Sequence, residues 1–229
     1  MLHKTKGIVI GYIPYRETSI IVKLYTEKFG VQSYIENGVR TAKGKNKIAL
    51  FQPMTLLDLV VYHNDKKDLH RISEIKCTSP LLQIPYNIRK SSIAIFLNEV
   101  LNKTLKEQMD NESMFFFLYQ SIITLDALET GIDSFHLIFL AKYSVFLGFA
   151  PRDSAEIELQ FRELGIHIPV EKETQKYINI LFDSDYSDEL KVNKVFRNHL
   201  LDVLITFYRI HQDEFGELKS LQVLRALFN

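Results

Sequence analysis

The sequence predicts an α+β protein in which β-strands fill the first third of the chain and α-helices fill the rest. Up to about residue 78, short runs rich in Ile, Val and Tyr alternate with turn-forming residues. From about residue 85, apolar residues recur at helical spacing instead. The period changes near Thr78-Ser79-Pro80. We therefore expect two domains, residues 1–80 and residues 81–229.

Five segments of the first domain have the length and composition of strands. In residues 31–36 apolar and polar side chains roughly alternate, as expected for a half-buried strand. The predicted strands are Gly7–Ile13, Ser19–Thr26, Gly30–Asn37, Thr55–His63 and Leu69–Cys77. Five short strands, with the longest connection between the third and the fourth, favour a closed five-stranded barrel of the oligonucleotide/oligosaccharide-binding (OB) kind. An open antiparallel sheet is the alternative.

Apolar stripes define the helices of the second domain. Phe135–Gly148 is apolar on nearly every side, which is typical of a buried central helix, and Gly148 and Pro151 end it. Lys191–His211 is predicted to be a long amphipathic helix. One earlier stripe consists of Ile93, Phe96, Leu97, Val100, Leu101 and Leu105, and a second of Phe117, Ser121, Ile122, Leu125 and Leu128.

The connection Gly38–Ile48, called the basic loop here, carries four cations and no acid. Lys and Arg side chains that neutralise phosphates release condensed counterions, so a polyanionic backbone is a natural partner. The total charge is zero, but residues 1–80 hold 13 Lys/Arg against 7 Asp/Glu, and residues 81–229 hold 15 against 21. A solvated loop that only maintains solubility is the alternative. The predicted phosphate-binding residues are Arg16, Arg40, Lys43, Lys45, Lys47, Lys66 and Lys67.

Motifs for catalysis and for metal binding are missing from the sequence. The basic loop fails as a nucleotide-binding P-loop, because five residues separate Gly38 from Gly44 and Asn46 replaces the required hydroxyl. The seven histidines show no ligand spacing, and the single cysteine, Cys77, has no assignable histidine partner. We expect a protein that is not an enzyme and has no cofactor and no metal.

The cellular compartment of the protein is predicted from features that the sequence lacks. One cysteine excludes an intramolecular disulfide and favours a reducing compartment. The first residues have no apolar core of a signal peptide, and Phe135–Ala150 is too short to span a bilayer. We expect a cytoplasmic protein without a membrane partner.

Four tyrosines of the first domain, Tyr12, Tyr15, Tyr25 and Tyr34, could stack on bases, although most are expected to pack in the barrel.

Several motifs, in the same order along most of the chain, resemble the bacterial recombination mediator family RecO. They are Gly7-Ile8-Val9-Ile10, Tyr15-Arg16-Glu17-Thr18-Ser19-Ile20-Ile21-Val22, Tyr25-Thr26-Glu27-Lys28-Phe29-Gly30, Gly38-Val39-Arg40, Phe51-Gln52-Pro53, Leu147-Gly148-Phe149-Ala150-Pro151 and Leu218-Lys219-Ser220-Leu221-Gln222-Val223-Leu224.

The resemblance implies an N-terminal OB-fold and a C-terminal helical domain. It implies a protein that binds single- and double-stranded DNA, anneals complementary strands and helps load RecA onto DNA coated by single-stranded-DNA-binding protein (SSB). The implied partners are RecR and the acidic C-terminal tail of SSB. Many members carry a four-cysteine zinc site after the Leu-Gly-x-x-Pro segment. Here no cysteine follows Pro151, so we expect no zinc.

A receptor for the SSB tail needs an apolar pocket edged by cations, because the tail is acidic and ends in an apolar residue. The helix that ends at Gly148 offers both, and the predicted residues are Phe139, Lys142, Tyr143, Phe146 and Arg152. The alternative is that the two phenylalanines belong to the core.

The alternative function for the whole chain is an RNA-binding OB module joined to a helical protein-interaction domain. A nuclease is disfavoured, because acids near the basic face are scattered.

Overall fold

The computed structural model describes residues 1–41, 44–64, 66–106 and 112–228, and for Lys45 and Asn46 it describes the backbone only. The chain forms two compact units. Residues 1–86 and 105–126 make up the first, and residues 87–104 with 127–229 make up the second. The predicted division at residue 80 stays a proposal. The units differ from it because a helix at residues 112–127 groups with the strands.

Five strands of the first unit close into a barrel in the order β1-β2-β3-β5-β4. They are β1 (Leu2–Tyr15), β2 (Ser19–Thr26), β3 (Gly30–Glu36), β4 (Leu56–Tyr62) and β5 (Leu69–Lys76). β3 and β5 run parallel, and the other neighbours run antiparallel. The prediction of a five-stranded barrel followed by helices is confirmed. The open sheet is excluded because β3 also pairs with β5, and β5 with β4, so that each of the five strands has two neighbours.

β1 is longer than predicted, and this extra length closes the barrel. Residues 2–8 pair with β4, and residues 7–15 pair with β2, with a bulge between Val9 and Gly11. Inside, alternate residues of the strands form one apolar core, because successive side chains of a strand point to opposite faces. That core includes Val9, Val22, Leu24, Tyr34, Leu57, Leu59 and Val61.

Two helices accompany the barrel in the first unit. Helix α1 (Lys45–Ile48), followed by a 3-10 turn at Ala49–Phe51, occupies the connection between β3 and β4. Helix α3 (Glu112–Ala127) packs on the outside of the strands, where the Phe115 ring lies 5.8 Å from the Tyr25 ring. The Asp126 carboxylate accepts hydrogen bonds from the backbone N–H groups of residues 82, 83 and 84, at 2.8, 2.8 and 2.7 Å. These bonds fix the end of α3 to the segment that follows β5.

The second unit consists of six helices in the described part of the chain. They are α2 (Ile88–Thr104), α4 (Phe135–Phe146), α5 (Ser154–Glu163), α6 (Lys172–Asp183), α7 (Lys194–His211) and α8 (Leu221–Leu227). As predicted, α4 is the buried helix, and the Tyr208 hydroxyl of α7 donates to its Leu140 carbonyl at 2.7 Å. No helix among the described residues is long and apolar enough to cross a membrane.

Glu99 of α2 holds the start of α8. Its carboxylate accepts hydrogen bonds from the backbone N–H groups of Lys219 and Ser220, both at 2.8 Å, and from the Ser220 hydroxyl at 2.6 Å. Burial alone would raise the pKa of Glu99. The bonds from Ser220 and Lys219, with the positive charge of Lys103, outweigh it and hold the pKa below its ordinary value. Glu99 therefore binds α8 in its ionised form.

Candidate nucleic-acid interface

The β1–β2 turn brings two predicted DNA-binding arginines together at one end of the barrel. Arg16 has a left-handed backbone (φ 50°), and its carbonyl accepts a hydrogen bond from the Arg40 guanidinium at 3.1 Å. The Arg40 backbone N–H donates to the Thr18 carbonyl at 3.0 Å. Both arginine side chains are exposed. Arg40 thus supplies a cation and also holds the turn that carries Arg16.

The basic loop is compact where the structure describes it. The Thr41 hydroxyl donates to the Gly38 carbonyl at 2.8 Å and accepts from the Gly44 N–H at 3.1 Å. A Cβ on Gly44 would lie 2.1 Å from the Gly38 carbonyl oxygen, so the close approach requires glycine. Val39 is buried in the barrel core. Of the predicted cations, Lys43 lies outside the described residues, and Lys45 is described only by its backbone at the start of α1.

Among the predicted cations whose side chains the structure describes, Lys47 is the one that lies in an ion pair. Its ammonium lies 2.5 Å from the Glu36 carboxylate at the end of β3. The Glu36 side chain is 9% exposed and that of Lys47 is 40% exposed. The Glu36 carboxylate therefore neutralises the charge of Lys47 when no DNA is bound. This pair could not be predicted from local patterns, because the partners lie on different elements, eleven residues apart.

A groove of about 480 Å³ crosses the barrel where β2 and β3 meet the β4–β5 connection. Lys23 of β2 and Lys67 contribute its cations, and Asp68 contributes one acid. Lys66 is exposed on the same connection but is not among the groove residues. Ser33 of β3 pairs with Lys23 and with Leu69. Since Glu36, beside the basic loop, lies three residues further along β3, about 10 Å separates the groove from that loop.

His63 and His70 line this groove and belong to a stack of three rings that begins with Phe29. The ring centres of Phe29 and His63 are 3.9 Å apart, and those of His63 and His70 are 4.5 Å apart. His70 also forms a 2.9 Å hydrogen bond with the Gln32 side chain. Sequence reasoning treated these histidines as scattered. His63 and His70 flank the connection between β4 and β5. This position was the signal that they would meet, because the strands of a hairpin pair from the loop outward.

The four candidate tyrosines divide by burial. Tyr25 and Tyr34 are fully buried, and burial raises the pKa of Tyr34 above its ordinary value. Tyr12 packs against the barrel core and is only partly exposed. Tyr15 is partly exposed, and the Arg16 guanidinium lies 5.2 Å from its ring centre. The barrel surface is therefore rich in cations but offers few tyrosine rings to a base.

The residues predicted to bind the SSB tail do not form an open pocket. Phe139 and Tyr143 are buried, and the Tyr143 hydroxyl is hydrogen-bonded to that of Thr104 at 2.9 Å. Lys142 and Phe146 are partly exposed, and Arg152 is exposed. A peptide could therefore reach these last three, while the two core rings could take part only after a rearrangement of α4.

The helical unit holds a polar cleft, lined by two arginines and three acids, that sequence reasoning missed. Arg89 of α2 forms an ion pair with Asp133, and the Arg197 guanidinium of α7 lies 3.7 Å from the same carboxylate. The cleft has a volume of about 320 Å³. Burial, together with the Arg197 charge, lowers the pKa of the neighbouring His136 to about 3, so His136 is neutral at pH 7. Across the described residues no three His, Cys, Asp or Glu side chains cluster closely enough to hold a metal ion.

Comparison with known proteins identifies two matching family models. The model "Recombination protein O N terminal" matches residues 1–81, and "Recombination protein O C terminal" matches residues 85–222. Proteins named DNA repair protein RecO are similar over their whole length. That of Flavobacterium psychrophilum is 37% identical over 239 residues, covering 99% of each chain. Those of Phocaeicola vulgatus and Flavobacterium johnsoniae are 34% and 36% identical, covering 100% and 99% of each chain.

Proposed function

The chain belongs to the RecO family of DNA repair proteins, and from this we propose that it is a recombination mediator that acts by binding, not by catalysis. It binds single- and double-stranded DNA, anneals complementary strands and helps load RecA onto SSB-coated single-stranded DNA. RecR and the C-terminal tail of SSB are its proposed protein partners. Membership of the family supports DNA over the alternative RNA target, because the similar proteins are named for DNA repair.

One observation carries the DNA-binding part of the proposal. Cations from three connections and a strand lie on the barrel in two groups, Arg16 with Arg40 at the β1–β2 turn and Lys67 with Lys23 at the groove. None of the four forms an ion pair among the residues that the structure describes. Cations without counter-charges attract a phosphate backbone and release its counterions.

Annealing follows from a surface that binds phosphates without enclosing the strand. Neutralising the charge of two strands lowers their repulsion, and an open groove leaves the bases able to pair. The process needs no ATP and no divalent metal, since the residues proposed for it are cations of the barrel.

The proposal is tested by annealing of two complementary labelled oligonucleotides, with and without SSB, in the absence of ATP and with EDTA. We expect faster annealing with the protein than without it, and annealing of SSB-coated strands as well. A binding assay with a structured RNA of equal length tests the alternative. Tight RNA binding without DNA annealing would refute the proposal.

For the SSB tail we propose Lys142, Phe146 and Arg152 as the contact residues that need no rearrangement of α4. Lys142 and Arg152 supply the positive charge that an acidic peptide requires. The backbone N–H of Arg152 donates to the Glu156 carboxylate at 2.8 Å, so the start of α5 holds that residue in place.

A further inference from the structure

Three isoleucines form a row across the outer face of the barrel. Ile13 of β1 pairs with Ile21 of β2, and Ile21 pairs with Ile35 of β3. Ile20 and Val22, on either side of Ile21, are fully buried, so strand alternation turns Ile21 outward. Ile13 is 61% exposed, and the other two are partly exposed. These three residues, the isoleucine row, span about 10 Å across three strands.

Cations border the isoleucine row. Ile35 pairs with the exposed Arg71 of β5, which continues the row. Lys23, two residues from Ile21, lies on the same outward face of β2 and lines the groove described above. Among the described residues, neither Arg71 nor Lys23 forms an ion pair. The apolar strip thus has positive charge on two sides.

Gly11 leaves a gap beside the row. It pairs with Lys23 just after the β1 bulge, two residues before Ile13. A Cβ at this position would meet no atom within 4 Å, so no side chain fills the space above the backbone. A glycine in a strand interior often marks a bulge, as here, or a site where a ligand or another backbone approaches closely. The gap lies between an apolar side chain and a cation, which is suited to a flat ring joined to a phosphate.

We propose that the isoleucine row contacts the bases of single-stranded DNA while Lys23 and Arg71 contact its phosphates. The inference rests on the proposed DNA-binding function and adds a role for base contact. Apolar faces of unstacked bases gain by leaving water, whereas in a duplex those faces already stack on each other. The row therefore discriminates single strands from duplexes. A protein partner is less well suited, because a stable protein interface buries about 800 Å² on each side, far more than three side chains supply.

The test is a double variant, Ile13→Thr with Ile35→Thr, which keeps the β-branched shape and removes apolar surface. Its affinity is measured for a single strand, an abasic strand of equal length and a duplex. We expect binding of the single strand to weaken about tenfold, since roughly one apolar side chain's contact energy is lost. Binding of the abasic strand and of the duplex should stay the same, and so should the salt dependence, because no cation is removed. The matched control is Ile95→Thr, 59% exposed in the other unit, which should change nothing.

A gain-of-function variant keeps the proposal testable should the double variant fold poorly. Ile13→Tyr adds a ring at an exposed position and should strengthen single-strand binding several-fold, with no change for the duplex. Equal losses for normal and abasic strands, or no loss in a folded variant, would overturn the proposal. Loss of SSB or RecR binding with unchanged single-strand affinity would assign the row to a protein partner and overturn it as well. Wild-type protein that binds no DNA would instead refute the proposed function.

Discussion

Replacing Glu36 with Gln should strengthen DNA binding, because Glu36 holds a cation of the basic loop in an ion pair. The Lys47 ammonium lies 2.5 Å from the Glu36 carboxylate, and the carboxylate is the more buried partner. Glutamine has nearly the same shape but no charge, so Lys47 would be released toward solvent while the end of β3 keeps its packing. A phosphate could then take the place of the carboxylate.

The size of the effect follows from counterion release. On a single strand each phosphate contact contributes about −0.7 to the slope of log K against log salt. The four cations proposed for DNA binding, Arg16, Arg40, Lys23 and Lys67, have no ion-pair partner among the described residues and predict a slope of about −3 for the wild type. One further contact from Lys47 would steepen it to about −3.5, which corresponds to about fivefold tighter binding at 0.1 M salt. Lys47→Ala alone should leave the slope unchanged.

The assay is fluorescence anisotropy of a labelled single strand, titrated at a series of salt concentrations. Glu74→Gln is the matched control, because it removes the same charge from an exposed position on β5. The double variant, Glu36→Gln with Lys47→Ala, should return to the wild-type slope. A Glu36→Gln slope equal to that of the wild type, or a Lys47→Ala slope flatter than it, would refute the reasoning. The second result would mean that Lys47 already leaves Glu36 for phosphate.

Three further predictions concern other contacts. Arg40→Ala should flatten the slope of log K against log salt by more than about 0.7, because it also frees the turn that carries Arg16. The double variant with Arg16→Ala should therefore lose less DNA affinity than the sum of the two single losses, and strictly additive losses would contradict this. Glu99→Gln should destabilise the protein by about 2 kcal/mol in thermal melts, since three hydrogen bonds to a charged group are weakened. The pKa of Glu99 is lowered on folding, so its contribution to the stability of the fold is complete above the ordinary value of 4.5 and is lost as the pH falls through the lowered value. If Glu99→Gln lost as much stability on acidification as the wild type does, this reasoning would be wrong. Lys142→Glu with Arg152→Glu should abolish binding of an SSB-tail peptide and leave DNA affinity within a few-fold, and a surviving peptide affinity would place the receptor elsewhere.

Local patterns predicted most of the fold, because strand alternation and helical stripes are set by residues close in sequence. The first half of β1 escaped, since Lys4 and Lys6 face outward there and leave few apolar residues to signal a strand. At the start of α3 the buried positions are Met114, Phe115 and Leu118, so the predicted stripe was displaced there. Further along, Ser121, Ile122 and Leu125 are buried as predicted. Helix α3 packs on the barrel through contacts that no local pattern encodes, such as that between Tyr25 and Phe115.

The candidate site was only partly predictable. Charge in the connections predicted that Arg16, Arg40 and Lys67 would be exposed cations, because loops between strands are exposed in any arrangement of the barrel, and their role in DNA binding stays a proposal. Contacts between elements that are distant in sequence could not be predicted. Such contacts bring Lys47 to Glu36 and align the three isoleucines across the strands. In a helix that is apolar all round, sequence cannot separate a core ring from a binding ring. The burial of Phe139 and Tyr143 is the outcome of that ambiguity.

The double pairing of β1 has a consequence for the order in which the barrel assembles during synthesis. Its second half can pair with β2 as soon as residue 26 has emerged, but its first half must wait for residues 56–62. Until then residues 2–8 present an unpaired edge, the kind of surface on which nascent chains misassociate. Lys4 and Lys6, exposed on that edge, would repel a second copy in the meantime. Charges that look merely solvated in the finished barrel thus protect the chain while its closing partner is still being made.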